Sequence, residues 1–202
     1  MIAYMDDRRN IRIMPKTSVL ALILILATSS TALADSNYLW GAAAATCTPG
    51  NSAIETSRYQ VVAGSVKHGD GETGLVTLYC PISAIMWVHI NIGINPIDRT
   101  VFLKSPNTLR LTYRDQDGSA SSQNVEAQVI RMAKSDGLIF PVAGAAVNSS
   151  SFGGTGSQNR RSAKFSHDFD FSENYYYVRI DLNRASASGE AIAYGVALEF
   201  QD

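Results

Sequence analysis

The sequence predicts an all-β protein, built as an antiparallel β-sandwich of immunoglobulin-like or jelly-roll type with seven to nine strands. Apolar and polar side chains alternate with a period of two over most of the chain, which is typical of strands that bury one face. Short segments rich in Gly, Asp, Asn and Ser separate these stretches and favour turns. Beyond residue 34 no stretch has the period of an amphipathic helix, and residues 42–45 are too few for one.

The N-terminal region has the three parts of an export signal. Basic residues come first, an unbroken apolar run follows over residues 19–27, and residues 32–34 (Ala-Leu-Ala) provide the small-x-small site of a signal peptidase. This run is far shorter than the roughly 20 residues that a membrane-spanning helix needs. We therefore expect residues 1–34 to be a cleaved signal peptide, residues 35–202 to be a single β-sandwich domain, and the protein to be secreted, periplasmic or at the cell surface.

Charge and hydropathy exclude two classes of partner. The chain has a formal net charge of −1, and its Lys and Arg residues are scattered singly beyond the signal, apart from Arg160 and Arg161. A nucleic-acid surface needs clustered positive charge, so we expect no nucleic acid as partner. No apolar run beyond residue 34 approaches membrane length, so we expect no membrane span after signal cleavage.

Two cysteines, Cys47 and Cys80, lie beyond the expected cleavage site. In an oxidising compartment an isolated pair most often forms a disulfide. The bridge would close a loop of about 33 residues and contribute about 3–4 kcal/mol in the chain-entropy description. Two thiols are too few ligands for a metal site, and the absence of a Cys-x-x-Cys sequence argues against thiol redox chemistry.

Alternation predicts the first strands from residue 59 onwards. Residues 59–63 alternate, and a tight turn is expected at residues 68–72 (His-Gly-Asp-Gly-Glu). Residues 75–80 (LVTLYC) then follow as a second strand, which predicts a hairpin with the first. Residues 85–94 form the next candidate strand, with Trp87 on its more polar face.

The middle of the chain predicts further strands. Residues 109–114 alternate cleanly and end at an Asp-Gln-Asp-Gly turn, after which residues 125–132 are expected to return as the partner strand. Residues 138–147 form another short candidate. Residues 148–159 (NSSSFGGTGSQN) are rich in Ser and Gly, so we expect them to be the most flexible stretch.

The strongest alternation lies near the C-terminus. Over residues 164–171 three Phe residues and His167 face one way, and a short link predicts a hairpin with residues 175–182. The last predicted strand, residues 191–200, has large apolar side chains on one face and small ones on the other. The large side chains are Ile192, Tyr194, Val196, Leu198 and Phe200, and the small ones are Ala191, Ala193, Gly195 and Ala197.

Asp115, Asp117 and Gly118 resemble a fragment of a calcium-binding loop. A complete EF-hand loop needs a carboxylate or amide where Tyr113 stands and a bidentate Glu where Asn124 stands. An Asp-Gly turn at a strand end explains the same residues without a metal. We therefore favour a turn, and keep as the alternative a calcium site that Asp115 and Asp117 share with other loops.

The sequence does not indicate catalytic residues. The three histidines lie in separate segments with no ligand spacing, and His167 on a Phe-rich face is typical of a hydrogen-bonded core histidine. Asp168 and Asp170 alternate to the other face and cannot orient His167 as a triad would. No Gly-x-Ser-x-Gly elbow occurs. We expect no catalytic, metal or cofactor residues, while a hydrolase whose site is built from several loops is left open.

Aromatic residues are the best candidates for a binding surface. Tyr175 and Tyr177 share the outward face of one predicted strand, and Trp87 lies on another. Such residues stack on a glycan or anchor a protein partner. The alternative is that a second sheet or a long loop covers them.

The last strand indicates an assembly role. Residues 191–200 resemble the final strand of fimbrial pilins, which also have a cleaved signal and one disulfide; the resemblance covers this strand alone and is not taken as family membership. A terminal strand at a sheet edge would allow self-association, whereas a strand paired on both sides would close its own sandwich. We predict a non-catalytic accessory or assembly subunit that acts through protein–protein contact, with a carbohydrate-binding module as the alternative.

Overall fold

The computed structural model describes residues 38–50, 57–83 and 105–201, which form two packed antiparallel sheets. The predicted all-β sandwich is confirmed, and the described residues contain eleven strands rather than seven to nine. The strands are β1 (Tyr38–Ala43), β2 (Thr48–Pro49), β3 (Tyr59–Val62), β4 (Ser65–His68), β5 (Gly74–Ile82), β6 (Thr108–Asp115), β7 (Gln123–Ala133), β8 (Ile139–Asn148), β9 (Ser157–Arg161), β10 (Asn174–Arg184) and β11 (Ala191–Glu199). The expected signal peptide and the candidate strand at residues 85–94 lie outside the described residues.

The strands form two layers around one core. One sheet has the order β3-β4-β11-β6-β9, with β1 also paired to β11, and the other has the order β2-β5-β10-β7-β8. The inward faces of β6 and β10 lie at the centre of the core, and their side chains there are completely buried. These are Leu109, Leu111, Tyr113, Val178, Ile180 and Leu182. Burial of one such aliphatic side chain stabilises the fold by about 1.5–3 kcal/mol.

The first hairpin of the structure is shorter than the predicted one and joins β3 to β4. β3 pairs with β4 through a two-residue turn in which Ala63 (φ 49°) and Gly64 (φ 86°) both have left-handed backbone conformations, as a type I′ turn requires. The predicted pairing of residues 59–63 with residues 75–80 is wrong, because β5 lies in the other sheet. This turn was not predicted from the sequence, because Asn or Asp, rather than Ala, usually precedes the Gly of a type I′ turn.

The turn after β6 also passes between the sheets. Residues 125–132 do form a strand, β7, but it pairs with β8 and β10. The expected pairing with β6 is therefore wrong. The stretch expected to be flexible includes a 3-10 turn at Ser149–Ser151 and the start of β9. Asn148 caps that turn, because its side-chain oxygen accepts a 3.0 Å hydrogen bond from the backbone N–H of Ser150.

Residues 162–170 form neither a strand nor a helix. The predicted alternation of burial is present, with Phe165 and Phe169 buried among exposed neighbours. The backbone N–H of Phe165 donates to the carbonyl oxygen of Asn107, outside any ladder. The predicted hairpin with residues 175–182 is wrong, because alternation reports which face is buried and not which strand is adjacent.

The last strand lies inside the six-stranded sheet. β6 pairs with β11 along its length on one side, while β4 and then β1 pair with it on the other. The alternative of a last strand that closes its own sandwich is confirmed. β11 therefore has no free backbone edge through which another chain could add as a strand, because neighbouring strands occupy both sides.

A bulge at Tyr194 exchanges the two faces of β11. The register against β6 shifts by one residue between Ala193 and Gly195, so β11 has one extra residue there. The side chains of β11 that enter the core are Ala191, Ala193, Val196 and Leu198. The predicted single face of large side chains is wrong, because Ile192 and Tyr194 lie outside the core cluster.

Candidate binding surfaces

The predicted disulfide between Cys47 and Cys80 is confirmed. Both residues are buried, and the bridge holds the connection between β1 and β2 against β5. A structural disulfide is compatible with an extracellular location. Among the described residues, no helix has the length and apolar character needed to cross a membrane.

Apolar side chains cross the outer face of the five-stranded sheet in two rows. Cross-strand neighbours share a face, and the register of β5, β10, β7 and β8 aligns these residues side by side. One row is Pro81, Tyr177, Ile130 and Pro141, and the next is Tyr175, Met132 and Ile139. Tyr79 adjoins them, with its ring centroid 5.6 Å from that of Tyr177 in an edge-on contact. These residues together are named the apolar stripe.

The apolar stripe is exposed at its margin and packed at its centre. Ile139 is 57% and Tyr175 56% exposed, whereas Ile130, between Tyr177 and Pro141, is 2% exposed. Ile130 does not belong to the main core, so the stripe is a second, smaller apolar cluster on the outside of the sheet. Polar side chains form the next rows of this face: Thr77, Glu126, Gln128, Arg179 and Asp181.

A groove of about 310 Å³ lies at one end of the apolar stripe. Its aromatic members are Phe171, Tyr175, Tyr176 and Tyr177, and Lys134 and Asn174 are polar members. The ammonium group of Lys134 lies 4.9 Å from the ring centroid of Tyr175 and donates a 2.7 Å hydrogen bond to the carbonyl oxygen of Phe171. This cation–π contact covers one face of the Tyr175 ring.

Two of the three predicted surface residues come together here. Tyr175 and Tyr177 lie on the outer face of β10, and the described part of the chain leaves Tyr175 largely uncovered. Trp87 lies outside the described residues. Sequence reasoning missed the rest of the stripe, because the register between strands brings those residues together. The available signal was residues 138–141 (Leu-Ile-Phe-Pro), since consecutive apolar residues in a strand must place some side chains outward.

Asp115 and Asp117 form a pair of carboxyl groups at the end of β6. Asp115 is fully buried; its Oδ2 accepts a 2.5 Å hydrogen bond from the Ser149 hydroxyl, and its Oδ1 accepts one from the Asp117 N–H. Asp117 Oδ2 accepts from the Ser122 hydroxyl and the Gln123 N–H at 2.5 and 2.8 Å. Burial raises the pKa of Asp115 to about 6. Burial opposes ionisation of Asp117 as well, but hydrogen bonds, led by that from Ser122, lower its pKa.

This pair has the arrangement of a hydrogen-bonded turn. Protein donors engage both carboxyl groups. Within the described ranges, no three His, Cys, Asp or Glu side chains come together in a group able to hold a metal ion. The hydrogen bonds that the two carboxyl groups accept tie the end of β6 to Ser149, to Ser122 and to the first residue of β7.

His167 lies in an aromatic cluster. Its Nε2 is 3.2 Å from the hydroxyl of Tyr176, and its ring packs edge-on against Phe169 and Tyr176 at centroid distances of 5.0 and 5.5 Å. Burial lowers the pKa of His167, and the positive charge of Arg131 lowers it further, while Asp168 acts in the opposite direction. These contacts are those of a packed, hydrogen-bonded histidine.

No family model matches the chain, and neither does any curated protein. Among solved structures, it is similar to a family two carbohydrate esterase from Cellvibrio japonicus, with a TM-score of 0.36 and 12% sequence identity over 80% of this chain. The chain spans about a third of that protein's length (33%). A likeness this distant identifies no activity.

Proposed function

We propose that this protein is a non-catalytic accessory or assembly subunit, secreted or at the cell surface, that binds a protein partner through the apolar stripe. The observation that carries the proposal is the exposed group of aliphatic and aromatic side chains on one half of the five-stranded sheet's outer face. Contiguous apolar surface with a polar surround is typical of protein interaction sites.

The composition of the apolar stripe favours a protein over a glycan. Sugars are recognised by flat aromatic faces together with polar groups, whereas Ile139, Met132 and the two prolines offer neither. The ring of Tyr175 has the Lys134 ammonium over one face. Tyrosine and methionine are enriched at protein interfaces.

The contact is expected to use side chains rather than strand addition. β8 is an edge strand of its sheet within the described residues. Pro141 has no backbone N–H, however, and Gly144 (φ 77°) lies where the pairing with β7 is irregular. Proline and bulges hinder pairing of a sheet edge with another chain. A partner would therefore pack flat on the stripe, as one sheet packs on another.

One charged group beside the apolar stripe defines the partner further. The ammonium group of Lys134 lies over the Tyr175 ring at one end of the stripe. Arg131 belongs to the opposite face of β7, because it pairs across the strands with the buried Tyr176. We therefore expect a partner with an apolar centre and an acidic group opposite Lys134, since complementary charge steers association.

A photo-reactive amino acid in place of Ile139 tests the proposal in cells that make the full chain. Leu75 is the matched control, because it is an aliphatic residue on the outer face of the same sheet, 44% exposed, and lies beyond the polar rows. We expect a covalent adduct with another protein at position 139, none at position 75, and loss of the adduct in Tyr177→Ser. Equal yields at both positions, or an adduct only with a second copy of this chain, would overturn the proposal.

A second candidate function is carbohydrate binding in the groove beside Tyr175. Its concave shape favours this function, as do the Asn174 amide and the Lys134 ammonium beside aromatic side chains. A glycan array distinguishes the two functions. Glycan binding that Tyr177→Ala abolishes and Ile139→Ser leaves unchanged would support the carbohydrate-binding module and count against the protein partner.

A further inference from the structure

Glu199 is buried on the outer face of the six-stranded sheet between two arginines. Its Oε1 lies 3.0 Å from Nε of Arg110, and its Oε2 lies 2.6 Å from Nε of Arg161. The Glu199 side chain is 2% exposed, against 18% for Arg110 and 50% for Arg161. Among the described residues, the Glu199 carboxylate is thus shared by two guanidinium groups.

A second cluster on the same face repeats the arrangement. Glu190 lies 3.3 Å from Lys67 and 3.6 Å from Arg114, so that one carboxylate is again shared by two cationic side chains. Arg110 and Arg114 lie on the same face of β6, four residues apart, which corresponds to about 13 Å along a strand. Within the described residues, this face therefore presents positive charge at two points along β6.

A groove of about 320 Å³ lies along β11 on this face, with Arg110, Thr112 and Tyr194 among its members. Arg114 is the next outward residue of β6 after Thr112. The floor consists of small residues: Gly41, Ala43, Gly195 and Ala197. The bulge brings Tyr194 out of the core, where its hydroxyl lies 3.3 Å from that of Ser157. The groove thus combines one guanidinium group, hydroxyl groups and one aromatic ring, and Arg114 follows Thr112 on the same face of β6.

We propose that this groove binds an acidic oligosaccharide, with Arg110 and Arg114 contacting carboxylate groups of the sugar chain and Tyr194 contacting a sugar ring. Guanidinium groups form strong, charge-assisted hydrogen bonds to carboxylates. An aromatic side chain provides an apolar face together with a polar hydroxyl, which suits a sugar. Glycine in a strand allows a ligand to approach the backbone closely.

An acidic peptide is the competing class of ligand. β11 is paired with β6 on one side and with β1 on the other beneath the groove. A peptide therefore could not add to the sheet as a strand and would lose the main-chain hydrogen bonds on which that recognition mode depends. An oligosaccharide binds through its hydroxyl and carboxylate groups and needs no such edge.

Calorimetric titration of the full chain with a tetramer of galacturonic acid tests the proposal, with the uncharged galactose tetramer as control. We expect the acidic tetramer to bind, more weakly as salt is raised, and the neutral tetramer not to bind. Failure of the acidic tetramer to bind, equal binding of the neutral one, or tighter binding of a tetraglutamate peptide would overturn the proposal.

Two variants locate the site. Arg114→Gln, at a side chain 39% exposed, is expected to weaken binding about tenfold or more. Arg110→Gln is also expected to weaken binding about tenfold or more. This variant is expected to fold, because Arg161 still pairs with Glu199. Arg179→Gln is the matched control, also 39% exposed but on the other sheet, and should leave binding unchanged. Equal affinities for Arg114→Gln and Arg179→Gln would place the ligand elsewhere and refute this groove.

Discussion

Gly195 of β11 lies directly against the backbone of Ala42 in β1. A Cβ atom on Gly195 would stand 2.7 Å from the carbonyl oxygen of Ala42 and 3.4 Å from the Cα of Ala43. These atoms belong to the main chain, so they cannot swing aside as the end of a long side chain would. The absence of a side chain at position 195 therefore allows β1 to pair with β11 just after the bulge at Tyr194.

Gly195→Ala is expected to lower the free energy of unfolding by about 1–3 kcal/mol, because β1 must shift to accommodate the new methyl group. Gly41→Ala is the control on the same groove floor. Its Cβ would meet the nearest atoms at 3.5 and 3.7 Å, which is ordinary contact. Gly41→Ala is therefore expected to change the free energy of unfolding by no more than about 0.5 kcal/mol. Urea unfolding measures both, and equal effects would contradict the close approach of the two strands.

Replacement of both cysteines by alanine is expected to lower the free energy of unfolding by about 4 kcal/mol, because the unfolded chain regains the entropy of a closed loop. The loop spans a sequence separation of 33 residues between Cys47 and Cys80. Reductant should destabilise the unmodified protein and leave the double variant unchanged, since the sequence has only two cysteines. Equal urea midpoints for the oxidised protein and the double variant would show that the bridge contributes nothing.

Asp115 is expected to stabilise the protein in mild acid. Its pKa is about 6 in the folded protein against an ordinary 3.8, so the folded state binds more protons than the unfolded state between these values. The contribution is fully present below about pH 4 and is lost as the pH rises through about 6. Asp117 has a lowered pKa and acts with the opposite sign, since its contribution is present above its ordinary pKa and is lost as the pH falls further.

Asp115→Asn isolates this effect from that of the histidines. Burial lowers the pKa of His68 and of His167, so both destabilise the folded state as the pH falls below their ordinary value. The informative quantity is therefore the difference in unfolding free energy between the unmodified protein and Asp115→Asn. Between pH 7 and pH 5, we expect the unmodified protein to gain on the order of 1 kcal/mol of unfolding free energy relative to Asp115→Asn. A constant difference would mean that Asp115 has an ordinary pKa.

Alternation in the sequence predicted strands well where a regular strand buries one face. β6 and β10 bury the residues that their patterns assign inward, and Tyr175 and Tyr177 lie outward as predicted. The pattern failed where one residue changed the geometry. Tyr194 adds a bulge that exchanges the faces of β11, and a period-two pattern cannot reveal an inserted residue.

Long-range pairing was the part that local patterns could not supply. The predicted hairpins at residues 59–80 and 164–182 assumed that consecutive strands pair, whereas the chain passes between sheets after β4 and residues 162–170 form no ladder. Both candidate surfaces depend on this pairing. Ile139 is brought beside Met132, and Arg161 beside Arg110, only by the register between strands.

The apolar stripe is tested most directly by the dissociation constant of the full chain for the protein that crosslinks at position 139. Ile139→Asp is expected to weaken binding about 100-fold, because it places a carboxylate in an apolar contact. Leu75→Asp, at a similarly exposed aliphatic position on the same face, should change binding by less than about twofold. Thermal melts of both variants control for folding. Equal dissociation constants for the two variants would contradict the stripe as the binding surface.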